Sequence, residues 1–496
     1  MRVPVSSPPH AIPKPTTTTI TGPYNYEPTS VLDLCRSPSP GSVPQKPTQD
    51  CPELDDHALH NLDWDSIMND LGFHDDTTTA TTAHIFPPVT DFTPFDQAAE
   101  LTVTGDMYGY NFNYPTLDNH HSNNNNTNVL DSIIEDLIRA ADCFDTNQLQ
   151  PAQMILERLN HRLRSPTGKP LQRAAFHFKD ALQSLLSGSN PPRVSSMVEI
   201  VHGMRTFKAF SGISPIPMFS IFTTNQALLE SLIHSSSCFL HIIDFEIGLG
   251  IQYASLMKEI AEKVETGKIG SPVLRITAVV PEEYAVESTL VRENLVQFAQ
   301  ELRIRVQVEF VSLRTFETVS FKAVKFVDGE RTAVLLSPAI FRRLGSAAAF
   351  MADVRSVSPC VVVFVDEEGW AEAAAEASFR RGVVSSLEFY SMMLESLDAS
   401  VVSGGGGEWV KRIEMLLLRP KMMAAVDSAG RRMPPWREAF YGAGMRPVQL
   451  SQFADFQAEC LLAKSQIRGF HVAKRQAELV LFWHERAMVA TSAWRC

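Results

Sequence analysis

Apolar and polar positions divide the chain into parts that differ in periodicity. From 129 to 230 the apolar residues recur at spacings of three and four, which predicts amphipathic helices. Between 238 and 366, short apolar runs alternate with helical patterns, as in a parallel sheet covered on both faces. We therefore predict an α/β fold, Rossmann-like and mostly parallel, with a helical cap before its first strand. The predicted strands are 238–244, 273–280, 305–311, 332–337 and 359–366.

Helical patterns occur on both sides of the first predicted strand. Four apolar stripes precede it, and they begin at Leu130, Ile155, Phe178 and Met197. The helices predicted after it are 252–264, 286–302, 339–353, 376–398, 408–418 and 452–464. The end of the chain changes character, because its short apolar runs predict antiparallel strands added to the sheet. These runs are 470–472, 479–483 and 488–494.

Composition separates residues 1–128 from the rest of the chain. This segment holds 16 of the 31 prolines and 16 Asp plus Glu against 4 Lys plus Arg, so it carries the whole net charge of −12. Such a segment buries too little apolar area to offset the entropy of ordering it. We predict a disordered, acidic and proline-rich regulatory segment. The folded domain is then 129–496, divided into a helical cap at 129–230 and an α/β core at 231–496.

One island interrupts the acidic segment. Within residues 53–73, Trp64, Ile67, Met68 and Leu71 lie at i, i+3, i+4 and i+7 and are surrounded by aspartates. An acidic amphipathic helix of this kind can dock in a partner's groove and become ordered on binding. The alternative is a solvated acidic stretch with a chance periodicity, and the sequence leaves both open.

The loop after the first strand is the strongest candidate for chemistry. It reads DFEIGLG and resembles the acid-x-Gly-x-Gly-x-Gly loop of methyltransferases, in which glycines let the backbone approach the cofactor. Gly248 and Gly250 follow Asp244 at the expected spacing, but Glu246 replaces the first glycine. Its bulky, charged side chain would crowd the ligand. We therefore expect no cofactor and a non-enzymatic function. The first alternative is a small-molecule methyltransferase that uses S-adenosylmethionine.

Other chemistries find little support. The chain has no Gly-x-Ser-x-Gly, His-Glu-x-x-His or phosphate-loop pattern, and its seven cysteines form no Cys-x-x-Cys, so we predict neither catalytic residues nor a metal site. We interpret His177 and His241 as structural, because each lies within an apolar pattern. No apolar run approaches the ~18 residues that span a bilayer, and no signal peptide is visible, so we expect a soluble intracellular protein.

Direct nucleic-acid binding is the second alternative. Affinity for DNA comes chiefly from Lys and Arg, but residues 129–496 carry 40 basic and 40 acidic side chains. A local basic patch at Arg468, His471, Lys474 and Arg475 is better explained as a solvated face. We therefore expect no strong direct contact with nucleic acid.

Several sequence blocks, in order, resemble the plant GRAS regulators. The resemblance spans about residues 129–496, with helices on either side of the first strand matching the two leucine-rich regions. The VHIID block corresponds to His241, Ile242, Ile243, Asp244, Gly248, Gly250 and Gln252. The PFYRE block corresponds to Pro359, Phe379 and Tyr390, and less cleanly to Arg412 and Glu414. The SAW block corresponds to Trp483, Ser492, Ala493 and Trp494.

Three further segments resemble the Scarecrow-like branch of Hairy Meristem type: 155–163, 395–399 and 457–481. The resemblance implies a nuclear, non-enzymatic transcriptional co-regulator that acts through protein–protein contacts. Within this branch it implies maintenance of shoot and root meristems, with DNA-binding partners that include Wuschel-type homeodomain proteins. Association with other GRAS proteins or with a second copy is also expected.

Overall fold

The computed structural model describes residues 124–188, 195–233, 239–367, 369, 378–401, 407–430 and 436–496. The predicted acidic segment up to residue 123, with the candidate helix at 53–73, therefore lies outside the described residues.

In the described ranges, five helices precede the first strand. Their starts follow from local sequence: Ser196 and Glu199 form a reciprocal capping box at the fourth helix, and Ser214 caps the fifth, which begins with Pro215. Nearly every residue of the fifth helix is buried, because it lies between the sheet and the other helices. The helices are α1 Asn124–Asp145, α2 Leu149–Arg162, α3 Pro170–Ser187, α4 Met197–Ile213 and α5 Pro215–Leu232.

The sheet has nine strands, and its order is β3-β2-β1-β4-β5-β9-β8-β7, with β6 also paired to β9. Strands β1 to β5 are parallel, whereas β6 to β9 are antiparallel additions. This confirms the predicted mostly parallel α/β sheet with antiparallel strands at its C-terminal end. The strands are β1 Phe239–Asp244, β2 Val273–Val280, β3 Arg305–Ser312, β4 Arg331–Leu336, β5 Val361–Asp366, β6 Arg446–Val448, β7 Phe470–Arg475, β8 Glu478–Trp483 and β9 Arg486–Arg495.

Among the residues that the structure describes, ten helices follow β1. The single helix predicted at 339–353 is wrong: two short helices occur there, because the chain is extended at Leu344 and the Ser346 side chain caps the second one. The helices are α6 Ile251–Glu265, α7 Ala285–Glu301, α8 Leu313–Val319, α9 Pro338–Arg343, α10 Ala347–Ser356, α11 Phe379–Val401, α12 Gly407–Ile413, α13 Arg419–Ser428, α14 Trp436–Gly442 and α15 Gln452–Ser465. A π-helical turn, Glu414–Leu418, joins α12 to α13.

Alternating side chains of the sheet enter two apolar cores. Ile242 of β1 belongs to the larger core, with α1 to α7, α11 to α13 and α15, whereas its neighbour Ile243 belongs to the smaller core on the opposite face. The smaller core is rich in aromatic rings from α8, α9, α10 and α14.

The helical layer is built from two distant parts of the chain. Helix α11 packs against α1 and α3, and α13 also packs against α3. In contrast, α5 packs against the strands β4, β5 and β9 as well as against other helices. The packing therefore crosses the predicted division at residue 230, and the segment between β5 and β6 completes the helical cap.

Candidate functional site

A cavity of about 290 Å³ lies where the strand order reverses, between the carboxyl ends of β1 and β4. Ligands of doubly wound sheets usually bind at this switch point. The loop from Phe245 to Gly250 forms one wall, and Ser337 after β4 forms another. Side chains of α4, α5 and α13 close the cavity from the helical side, among them Phe207, Ser220 and Lys421.

Asp244, the last residue of β1, holds the loop in shape. Its Oδ1 accepts the backbone N–H of Glu246 at 2.8 Å, and its Oδ2 accepts the hydroxyl of Tyr253 at 2.7 Å. Burial raises the pKa of Asp244 to about 6, although both hydrogen bonds act to lower it. Both carboxylate oxygens therefore have partners within the chain, and Asp244 serves the loop itself.

The two loop glycines have different roles. Both have positive φ, 52° at Gly248 and 74° at Gly250. A Cβ on Gly250 would lie 2.8 Å from Cγ1 of Val291 in α7, whereas a Cβ on Gly248 would meet open space. The carbonyl of Gly248 accepts the hydroxyl of Tyr284. Gly250 therefore permits close packing of loop against helix, and Gly248 permits the turn.

Glu246 stands where the methyltransferase loop has its first glycine. Its carboxylate accepts the hydroxyl of Ser337, so the side chain bridges the two loops that border the cavity. Gln252, which follows at the start of α6, has a buried Nε2 without a hydrogen-bond partner in the described chain. The loop thus has the order of acid, glycines and helix that a cofactor loop has, with a charged side chain at the position of the first glycine.

A second acid faces the same cavity. Glu367, just after β5, accepts the Lys421 ammonium at 2.8 Å and the Ser220 hydroxyl at 2.6 Å. Burial acts to raise the pKa of Glu367, but the Lys421 charge and these hydrogen bonds outweigh it and leave the pKa below its usual value. The same ion pair raises the pKa of Lys421 against the opposing effect of burial. The pair ties α5 and α13 to the end of β5.

These residues do not fit S-adenosylmethionine. Its carboxylate needs a positively charged partner, but the acids Asp244, Glu246 and Glu367 line the cavity, and the only cation among the lining residues, Lys421, is already paired. The acids after β2, Glu282 and Glu283, are exposed at a short 3₁₀ turn and are not among the residues that line the cavity. Among the described residues, no group of three or more His, Cys, Asp or Glu could hold a metal ion.

His241 of the VHIID block lies away from the cavity, in the middle of β1. Its two ring nitrogens lie 2.8 Å from Glu330 and 2.8 Å from Thr277, and the Glu330 carboxylate also pairs with Arg275. Burial lowers the pKa of His241, and the Glu330 carboxylate opposes this change. These contacts support the interpretation of His241 as a structural histidine.

The PFYRE residues are dispersed rather than gathered. Pro359 is buried before β5, Phe379 starts α11, and Tyr390 is buried within α11. Glu414 is 2% exposed, whereas Arg412 is on the surface and pairs with a glutamate one turn away. The structure therefore does not bring Arg412 and Glu414 together.

Glu414 instead belongs to a buried polar cluster that sequence reasoning missed. Its two carboxylate oxygens lie 2.7 Å from Nε2 of His177 and 3.0 Å from Nε of Arg173, both on α3. The Arg173 guanidinium also binds Asp398 of α11 at 2.9 Å. The cluster joins α3, α11 and the π-helical turn. The only sequence signal was a histidine and an arginine within one apolar helix, which does not identify their partners.

The SAW residues close the antiparallel end of the sheet. Trp494 is 2% exposed, packs on Phe440 with ring centroids 4.8 Å apart, and donates from Nε1 to the Ser492 hydroxyl at 3.0 Å. Ala493 enters the opposite core. Trp483 of β8 is also buried and packs on Phe470 of β7. All four residues thus have packing roles.

Two of the four residues of the basic patch near the C-terminus are in ion pairs. Lys474 pairs with Asp455, and Arg475 pairs with Glu478. These ion pairs reduce the positive charge that could bind phosphates. No helix in the described ranges is both long and apolar enough to cross a membrane.

Comparison with known proteins places the chain in a family. Residues 133–495 match the GRAS domain family. The chain is 55% identical to Scarecrow-like protein 15 of Arabidopsis thaliana over 474 residues. This alignment covers 89% of this chain and 94% of that protein. It is 35% identical to Scarecrow-like protein 6 of the same plant, over 73% of this chain and 63% of that protein. It is 27% identical to the DELLA protein DWARF8 of Zea mays, over 73% of this chain and 60% of that protein. The chain therefore belongs to the GRAS family of plant transcriptional regulators.

Proposed function

We propose that this protein is a nuclear, non-enzymatic co-regulator of transcription that acts by binding DNA-binding proteins. One observation carries the proposal: charged side chains of the chain itself line the switch-point cavity and pair with each other or with a neighbouring loop. Glu246 bridges to Ser337, and Glu367 pairs with Lys421. The α/β core then acts as a scaffold, and the helical cap provides the recognition surface.

Titration with S-adenosylmethionine tests the non-enzymatic part. Isothermal calorimetry on the full-length protein should give no saturable heat at micromolar ligand. The informative variant is Glu246→Gly, which restores three alternating glycines, and its matched control is Glu246→Gln, which removes the charge but keeps the bulk. Saturable micromolar binding by the wild-type protein would overturn the proposal and support a methyltransferase.

For partners, we propose Wuschel-type homeodomain proteins, and for biological role, maintenance of shoot and root meristems. The support is the resemblance to Scarecrow-like proteins of the Hairy Meristem type. One of its segments, 395–399, contains Asp398, which pairs with Arg173 and so joins α11 to α3 within the cap. Other GRAS proteins, or a second copy of this chain, are further proposed partners.

A gel-shift experiment separates co-regulation from direct DNA binding. The full-length protein alone should not shift a DNA fragment that carries a homeodomain site. With a Wuschel-type homeodomain protein present, it should retard the complex further, and an unrelated homeodomain protein serves as the control. A shift by this protein alone, falling steeply with salt, would favour the DNA-binding alternative.

A further inference from the structure

Five large apolar side chains are exposed on two neighbouring helical segments. They lie on the first turn of α4 and along α12 with its π-helical turn, and each is between 36% and 52% exposed. Single exposed apolar residues are common, but a group on adjacent helices is typical of an interaction site. We call this group the α4–α12 surface: Met197, Val198, Trp409, Met415 and Leu416.

The two segments run side by side. Helix α4 packs along α12 and along the π-helical turn. Farther along both segments, Phe207 and Leu417 border the same cavity. The two segments therefore lie against each other and reach the same cavity. Trp409 lies in α12, and Leu416 lies in the π-helical turn that continues it.

Basic side chains outnumber acidic ones on these two helices. On α4 and α12, four cationic side chains stand against two carboxylates outside the buried cluster. One of the cations, the guanidinium of Arg412, lies over the Trp409 ring at 5.0 Å. The cations are Arg205, Lys208, Arg412 and Lys411, and the carboxylates are Glu199 and Glu408. The surface therefore suits an apolar ligand with negative charge on its flanks.

We propose that the α4–α12 surface is the docking site of the chain's own acidic amphipathic segment, residues 57–73. That segment has the complementary chemistry: an apolar stripe of Trp64, Ile67, Met68 and Leu71, flanked by aspartates, with no Lys or Arg. An amphipathic helix places such anchors in an apolar groove. Its aspartates would then lie near the basic side chains of α4 and α12.

The length of chain between the two elements permits this contact. Residues 74–123 separate the segment from α1. In general, a flexible chain of about 50 residues would have an end-to-end distance of about 40 Å, comparable with the dimensions of a domain. Tethering of this kind gives an effective concentration in the millimolar range or somewhat lower. Docking that would be weak between separate molecules is therefore substantial within one chain.

Docking would make the acidic segment and the α4–α12 surface mutually exclusive for other proteins. A partner that binds either one has to displace the intramolecular contact. The contact is thus an autoinhibitory device, and it is independent of whether the protein binds homeodomain partners.

Hydrogen exchange on the full-length protein tests the proposal. In the double variant Trp64→Asp/Leu71→Asp, backbone amides at 197–204 and 407–418 should exchange about tenfold faster than in the wild type, because the docked segment no longer covers them. The matched control, Ile85→Asp/Phe86→Asp, makes the same change in charge and apolar content outside the segment. It should leave exchange at both places unchanged.

The reciprocal variant tests the other side of the contact. Trp409→Ser/Leu416→Ser replaces exposed side chains, so the fold should persist, and residues 57–73 should become more susceptible to protease. Equal exchange in the wild type and the Trp64→Asp/Leu71→Asp variant would overturn the proposal. Protection that increases with protein concentration would also overturn it, because a second copy would then be the occupant.

Discussion

The carboxylate of Asp145, the last residue of α1, accepts the backbone N–H of Phe379, the first residue of α11, at 2.7 Å. It also accepts the N–H of Arg380 and the hydroxyl of Ser378, each at 2.9 Å. The ring of Phe144 stacks on that of Phe379 with centroids 5.1 Å apart. One helix end therefore caps the start of another that lies 234 residues later, which joins the two parts of the cap.

Replacement of this cap should measurably destabilise the protein. Asp145→Ala leaves the first amides of α11 without an acceptor and should lower the free energy of unfolding by about 1–2 kcal/mol. Asp145→Asn keeps one acceptor oxygen and should cost less. Chemical denaturation measures both variants. Asp142→Ala, which removes only an exposed ion pair with Arg380, is the control, and an equal loss there would show that charge rather than capping matters.

Glu414 and Arg412, which correspond to the end of the PFYRE block, should contribute differently to stability. Glu414→Ala leaves the charge of Arg173 partly unpaired in the core and should cost ~3–5 kcal/mol. Arg412→Ala removes an exposed pair with Glu408 and should change stability by less than about 1 kcal/mol. Thermal and denaturant unfolding of both variants test this difference. Similar losses would contradict the separation that the structure shows.

Local patterns predicted the strands because each parallel strand is a short apolar run with its own boundaries. The bounds of β1 to β5 differ from the predictions by at most two residues. Strand β6 was missed because Arg446–Val448 contains an arginine and a proline rather than an apolar run. It exists because it pairs with the end of β9, a contact that no local pattern contains.

The polar contacts of the site were harder to predict for the same reason. The glycines and Asp244 were found because they share one loop. The partners Glu367 and Lys421 are 54 residues apart, and Arg173 and Asp398 are 225 apart. Neither sequence separation indicates a contact, because only the fold brings these elements together.

Trp494 should be a principal anchor of the last strand. Trp494→Ala removes a buried ring from the aromatic cluster around Phe440 and should cost ~3–5 kcal/mol. The amount of soluble protein should fall with it. Trp409→Ala, at a partly exposed position, should cost less than about 1 kcal/mol. Unchanged unfolding of the Trp494 variant would remove the proposed anchoring role.

The two loop glycines should differ in their tolerance of alanine. Gly248→Ala places an alanine in the left-handed region of backbone conformation, with open space around its Cβ. It should lower the free energy of unfolding by ~1 kcal/mol. Gly250→Ala has the same backbone strain and also contacts Val291, which should add about 1–3 kcal/mol. Val291→Ala removes the opposing atom, so Gly250→Ala should cost less in that background than in the wild type. A double-mutant cycle without such coupling would contradict the packing role of Gly250.

Glu259 of α6 should make stability depend on pH in a specific direction. Burial raises its pKa to about 7, although Lys263 and a hydrogen bond from Gln226 act to lower it. Because this pKa is higher in the folded than in the unfolded state, the contribution of Glu259 is favourable below its unfolded pKa of about 4.3 and is lost as pH rises through about 7. Glu259→Gln cannot ionise and keeps an acceptor for Gln226. Relative to the wild type, this variant should gain about 1–3 kcal/mol between pH 5 and pH 8, since one pKa unit corresponds to about 1.4 kcal/mol.

Denaturant unfolding at the two pH values measures that gain. The matched control is Glu265→Gln, which makes the same change of charge at an exposed position of the same helix. Asp244, whose raised pKa lies in the same range, is present in all three proteins and therefore cancels in the comparison. If the Glu259 and Glu265 variants shift equally with pH, net charge rather than burial governs the response, and the assignment of the raised pKa to Glu259 is wrong.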